Sequence, residues 1–494
     1  MVFSSLIFVY AFLPVQFLIY YLSPKEYKNA VLLFFSLIFY SWSGPLYLFL
    51  LAGDSFVAYY FALLIQKEYD ARVIRRTAKK KFLKEKYKSE KSQAKLYLTL
   101  AIAILLTVLV FFKYLSWLSD CLNAGLGLMN ISKLPVIRIT LPVGISFYTF
   151  QLISYVADVY NKKVEANKSY SRVLLYAGLF HQCIAGPIVR YETVANEIED
   201  RNPNQNDVFI GIKRFSIGLA KKAVLANSIA KLADTFLPTS MDTLKGQTCL
   251  GLWFGAICYT IWIYLDFSAY SDMAIGLGRI CGFHYMENFN YPYIASSVQE
   301  FWRRWHMSLS SFFRDYVYIP LGGSRKGIVR TCINLTIVFV LSGFWHGASF
   351  NFLFWGLYNA LFIVVERLVS YKYKFYIPET LRVLYVFIVW NIGMILFRLE
   401  SLSDIKLLYE GFINGPSFNM WSREVLSAIY NPYFIIIFFI SILYITPLFK
   451  NIQNYLYRLK YGFIAVDVVV IFLFVYAVIE MLTTGYNPFI YFRF

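Results

Sequence analysis

The 494-residue chain is 59% hydrophobic and 20% aromatic, with only 15% charged residues. A water-soluble domain carries roughly 25% charge, so too little polar surface is present for a soluble, multidomain protein. The net charge of +18 would point a soluble protein towards nucleic acid. Here the basic residues stand in short segments between apolar runs, the positive-inside pattern of a chain whose partner is a lipid membrane, with no nucleic-acid role.

A crossing of the bilayer needs about 20 largely apolar residues. The stretch 4–22 lacks the basic start and small-residue cleavage site of a signal peptide and is expected to be a retained first span, followed by spans at 29–43 and 46–66. Segment 67–95 holds twelve Lys and Arg against four acids, which predicts a basic cytoplasmic loop and, counting back through three crossings, an N-terminus outside. A span at 97–118 follows. Stretches 139–160, 173–190 and 208–238 are apolar but interrupted by Pro142, Gly144, Gly186 and Pro187, or studded with Lys213, Arg214, Lys221, Lys222 and Lys231. Broken backbone at membrane depth is tolerated only where protein or a water-filled cavity surrounds it, so such segments often build sites. Further spans are expected at 248–265, 328–343, 351–365, 380–397, 432–449 and 461–482. Lys450, Arg458 and Lys460, with no acid among them, put 450–460 inside and the C-terminus outside. Arg325, Lys326 and Arg330 put the start of span 328–343 inside and its SGFWHG end towards the outer half. The six cysteines lie in apolar surroundings without CxxC spacing and read as small hydrophobes, with no metal site.

Four histidines are present: His181, His284, His306 and His346. His346 lies in LSGFWHGASFNFLFWG, where an ionisable group is expensive and points to function. A neutral imidazole in a dry pocket can take the proton of a hydroxyl as it attacks a thioester. The alternative is a histidine bonded to a carbonyl of a neighbouring helix. His306 lies in SVQEFWRRWHMSLSSFFRDYVYIPLGGSRKG, where Arg303, Arg304 and Arg314 stand beside Trp302, Trp305, Phe312 and Phe313. That pattern suits an interfacial anchor, or a cradle for the phosphates of a nucleotide-linked acyl donor formed by the arginines with Trp305, Trp345 and Asp315. LGGSRKG is not a phosphate-binding Walker loop, so nucleotide hydrolysis is not implied. Asp266 and Asp272 in IYLDFSAYSDMAIGLGR are expected to be structural acids, with an arginine of 303–314 as a candidate partner. Asp158 or Asp315 could orient a histidine. His284 looks interfacial, and His181 looks packed.

The run MENFNYPYIASSVQEFWRRWHMSLSSFFRDYVYIPLGGSRKG followed by LSGFWHGAS, within 286–347, resembles the signature of the membrane-bound O-acyltransferase family. The likeness is strongest to the bacterial branch that O-acetylates alginate and peptidoglycan. It extends to MVFSSLIFVYAFLP, SFYTFQLISYVADVY (146–160), IAGPIVRY (184–191) and DFSAYSDMAIGLGR (266–279). The resemblance implies an all-α, polytopic protein forming one domain over 1–494, a ring of about 10–13 transmembrane or re-entrant helices around a tunnel. It implies His346 as catalytic histidine and His306 as the second histidine, at a position held in the wider family by asparagine, aspartate or histidine. The tail 489–494 is similar to the C-terminal F-x-Y-x-x-F motif of a small protein that works with the family's teichoic-acid D-alanyl transferase, in which the tyrosine carries the acyl group outward, and this marks Tyr491 as a possible relay.

The activity expected is transfer of acetyl from acetyl-CoA, a substrate rather than a permanently bound cofactor, across a bacterial cytoplasmic membrane for O-acetylation of a polysaccharide outside. An extracytoplasmic hydrolase-like transferase of the SGNH type is the expected partner. The alternatives are D-alanyl transfer to teichoic acid from a carrier protein, and a transporter or flippase without covalent chemistry.

Overall fold

The computed structural model describes residues 2–489 apart from 79–82, 137, 185, 240–242, 245–246, 373–376, 400, 415–426 and 428–429, with side chains described outside 72–92, 402 and 414. Among the described residues the regular elements are helices, with no strand. The apolar runs favour this outcome, because backbone groups in hydrocarbon must pair within their own segment. Among the described residues seven helices are long and apolar enough to cross a membrane: Tyr47–Ala71, Gln93–Leu128, Cys249–Ile280, Gly327–His346, Phe350–Lys372, Glu379–Arg398 and Gly462–Thr483. Gln93–Leu128, at 36 residues, runs about 54 Å, well past a hydrocarbon core of ~30 Å.

Three of the ten expected spans are corrected. The run 4–22 becomes a short helical stretch, Phe8–Leu22, and 29–43 becomes Lys28–Ser41, 14 residues that reach only about 21 Å. The run 432–449 breaks into Pro432–Tyr444 and Leu448–Leu456, bent by 76°. Pro447 lies in the break; it has no N–H to continue the ladder, and its ring opposes the preceding turn. Counting that pair as one broken span gives eight candidate spans among the described residues.

The chain sorts into two units. The first comprises Ile7–Val208 with Leu277–Met286. In it, the helix Ile145–Tyr160 is buried along nearly its whole length, and Tyr47–Ala78 and Leu83–Leu128 pack on it. Its start is Gly144, with φ of +78°, where a Cβ would overlap the Cys183 carbonyl. Only glycine meets both demands.

The second unit comprises Phe3–Leu6, Phe209–Gly276 and Glu287–Phe494. Its innermost helix is Cys249–Ile280, which buries 78% of its most apolar window, against 28% for Gly462–Thr483. The latter leaves Val468, Ile471, Phe472 and Val475 exposed, as a lipid-facing surface requires. The interrupted stretch 208–238 is one helical run from Gln205 to Phe236, carrying a π-helical turn at Lys221–Ala226. Such a turn shifts the helical phase and turns consecutive residues inward. Lys222 thereby reaches Asp266 at 2.6 Å, and Lys221 reaches Asp272 at 2.5 Å. Arg214 joins Asp272 at 2.9 Å and Glu287 at 2.5 Å. The partners of buried Asp266 and half-buried Asp272 are therefore the lysines of the π turn and Arg214, in place of the expected arginine of 303–314.

Candidate active site

His346 is the last residue of the helix Gly327–His346, which the chain follows with Phe350–Lys372. These helices approach closely because glycines meet at the crossing. A Cβ on Gly343 would overlap the Phe352 carbonyl, and one on Gly356 would lie 2.5 Å from the Phe339 carbonyl oxygen. The approach seats the His346 imidazole in an aromatic cage, edge-on to Trp355 at 5.0 Å and Phe397 at 5.1 Å between ring centroids. Only 8% of the residue is exposed. Trp345 packs 4.9 Å from the His346 ring and 5.7 Å from the His306 ring, so one indole touches both imidazoles.

His306 joins the short helices Val298–Arg304 and Met307–Phe313 and has φ of +42°. That left-handed conformation is entered several-fold more often by Asn, Asp and His than by other non-glycine residues. The residue is 1% exposed, with Phe267 packed on its ring at 4.7 Å. Its Nδ1 lies 3.2 Å from Asn288 Oδ1. The same oxygen accepts from the Ser308 backbone N–H at 3.2 Å and from the Ser308 hydroxyl at 2.9 Å. Since a backbone N–H can only donate, that atom of Asn288 is the oxygen, and His306 carries its proton on Nδ1. Nε2 is then a bare lone pair, buried and without a hydrogen-bond partner among the described residues. Burial pushes the His306 pKa down to about 3, so the ring is neutral at any physiological pH.

This arrangement offers a dry, neutral imidazole beside a second imidazole in an aromatic wall. It is suited to proton transfer at a reacting hydroxyl. The profile of the membrane-bound O-acyltransferase family matches residues 37–405. The chain belongs to the membrane-bound O-acyltransferase family. It is 37% identical to the probable alginate O-acetylase AlgI of Pseudomonas aeruginosa over 86% of this chain and 77% of that protein. It is 32% identical to the protein of the same name from Pseudomonas putida over the full length of both. The peptidoglycan O-acetyltransferase of Helicobacter pylori is also 32% identical, over 91% of this chain and 87% of the relative. The chain is thus a multi-pass membrane acyltransferase.

The remaining family-signature residues fall into two groups. Trp305 is buried among Phe289, Phe301 and Trp390, at 5.1, 5.7 and 4.9 Å. The arginines do not converge on the histidines. Arg303 is exposed, Arg304 pairs with Glu300 at 2.7 Å, and Arg314 pairs with Asp315 at 2.7 Å. Asp315 therefore pairs with the arginine that precedes it. Asp158, a residue of the first unit, pairs with Lys163 at 3.0 Å. His181 and His284 also belong to the first unit; His181 bonds Tyr285 at 2.6 Å and His284 bonds Glu197 at 2.7 Å. Tyr491 lies outside the described residues. Sequence reasoning missed Asn288, whose side chain fixes the tautomer of His306. Its own signal was its place in the MENFN run, 18 residues before the histidine it serves.

Two outcomes follow from this geometry. Gly343→Ala forces the two helices apart and should destabilise the protein by about 1–3 kcal/mol, with a larger loss of activity. Gly125→Ala, with nothing within 4 Å of the added carbon, should do neither. Thermal midpoints in detergent and glycan ester content measure the two effects. The second outcome concerns pH. The folded-state pKa of His306 is depressed, so protonation favours unfolding, and stability falls as pH drops below the unfolded value of about 6.5 towards 3. His306→Asn, which keeps the Nδ1-like donor and tolerates the left-handed backbone, should flatten the melting-temperature slope between pH 7 and 4. An unchanged slope would show that the ring is solvated.

Proposed function

We propose that the chain moves an acetyl group from acetyl-CoA, supplied from the cytoplasm, across a bacterial cytoplasmic membrane for O-acetylation of an extracytoplasmic polysaccharide. The observation that supports this reading is the pair of buried imidazoles bridged by Trp345. The alginate O-acetylase and peptidoglycan O-acetyltransferase relatives suggest an acetyl group and a glycan acceptor. The basic segments 67–95, helical over 67–78 and 83–95, and 450–460 favour both termini outside.

In the reaction, His346 accepts the proton of the attacking hydroxyl while its oxygen bonds to the thioester carbonyl carbon. The tetrahedral species collapses with cleavage of the C–S bond, and the sulfur leaves as a thiol with the proton that His346 took. One ester and one thiol result. His306, with Nε2 unprotonated, accepts a hydrogen bond from the donor or acceptor and holds it against the aromatic wall. Arg303, exposed at the end of its helix, meets the donor phosphates. Tyr491 takes the acetyl group as a phenolic ester and passes it on, and an SGNH-type transferase outside loads the polymer.

Mild alkali releases acetate from O-acetyl esters. Surface glycan from cells lacking the gene should release no acetate above background, and complementation should restore it. Loss of D-alanine from teichoic acid with acetate unchanged would overturn the reading in favour of D-alanyl transfer. No change in either would favour a transporter.

A further inference from the structure

The last described residues are fixed, one after another, by specific partners within the second unit. The Tyr486 hydroxyl donates to Asp234, which also pairs with Arg398 at 2.7 Å. Asn487 Nδ2 donates to the Ser4 carbonyl and hydroxyl oxygens, each at 3.0 Å. The Lys222 ammonium donates to the Pro488 carbonyl. The Phe489 ring stacks on Tyr270 at 4.5 Å, and Tyr270 stacks on Phe3 at 4.4 Å. Ordering four residues in succession costs backbone entropy that these contacts must offset.

The docking surface is also the support of His306. On the helix Cys249–Ile280, Asp266 and Tyr270 stand one turn apart and hold the tail through Lys222 and Phe489. Their neighbours Phe267 and Ser271 hold the other side, Phe267 packing on His306 and Ser271 accepting from Asn288 Nδ2 at 3.2 Å. The same two turns of helix thus carry the chain end and the His306 contacts. The Lys222–Asp266 pair is 1% and 0% exposed at its side chains. A buried ion pair is a weak source of stability compared with apolar residues of like volume, so it points to a role in specifying geometry. Lys222 has donors to spare beyond Asp266, and one is used on a backbone carbonyl of the tail.

We propose that Lys222, held in place by Asp266, is a positioning residue that clamps the Pro488 carbonyl and fixes the chain end against the helix that supports His306. The functional part of this rests on the reading of Tyr491, two residues beyond Phe489, as the acyl carrier.

The test uses the full-length protein in native membranes with Ser4→Cys and Asn487→Cys, a pair bridged by a short bis-methanethiosulfonate reagent. Lys222→Met with Asp266→Asn removes both charges at once and leaves no orphan carboxylate. The cross-linking rate should fall by about tenfold or more as the tail leaves its seat. Glycan acetate, measured without the cysteines, should fall in parallel. An unchanged cross-linking rate would overturn the clamp, and slower cross-linking with full acetate would overturn its role in transfer. If the double variant does not accumulate, Phe489→Ala, which leaves the ion pair intact, carries the same two readouts. Tyr491→Phe separates the two claims. It should cross-link normally and lose acetate; retained acetate would sink the relay while the cross-linking result still decides the clamp.

Discussion

Replacing His346 with alanine is expected to reduce ester-linked acetate on the surface polymer to background while the protein still accumulates in the membrane. Loss of a general base removes about 10²–10⁴-fold of rate, enough to take a cellular product below detection. The cage explains why the effect is chemical rather than structural. Trp345, Trp355 and Phe397 pack on one another or on their neighbours as well as on the imidazole, so the aromatic wall has support of its own. His346→Gln sharpens the comparison, because glutamine fills much of the space and hydrogen-bonds but cannot take up a proton. It should be as inactive as alanine and nearer wild type in thermal stability. Activity in the glutamine variant would mean that the ring packs and does not react.

The second large effect is on stability. Asp266→Ala leaves the Lys222 ammonium buried with a carbonyl but no counter-charge. Breaking one side of a buried pair costs about 3–5 kcal/mol, comparable to the whole stability of a marginal domain. Membrane yield and thermal midpoint should both drop sharply. Replacing both partners with apolar residues of similar volume should recover much of the loss, since desolvation of the two charges is then avoided as well. A single variant as stable as wild type would show that water reaches the pair.

Most of the helices, and His346 as a candidate, were legible in the sequence for simple reasons, whereas His306 was singled out only through the family resemblance of its RRWH run. An apolar run of about 20 residues has few alternatives in a bilayer, and a histidine inside such a run is costly enough to stand out. The errors lie where one residue alters a helix. Runs 4–22 and 29–43 have the hydropathy of spans but form short helices, because composition does not fix where a helix ends. Pro447 bends a run that hydropathy alone reads as continuous. The partner of Asp266 was misjudged because a π turn at 221–226 has no composition of its own; it shows only in which lysine meets which acid. Asn288 escaped notice because a neutral amide carries no electrostatic signal, although it decides which nitrogen of His306 keeps the proton.

Purified protein in sealed vesicles, with acetyl-labelled CoA on one side and the extracytoplasmic transferase with a hydroxyl-bearing oligosaccharide on the other, measures the transfer itself. Wild-type protein should place label in alkali-labile ester on the far side, with one thiol released per ester formed. His346→Gln should place none. Equal labelling by the two proteins would contradict a proton-accepting role for His346 and with it this account of the chemistry.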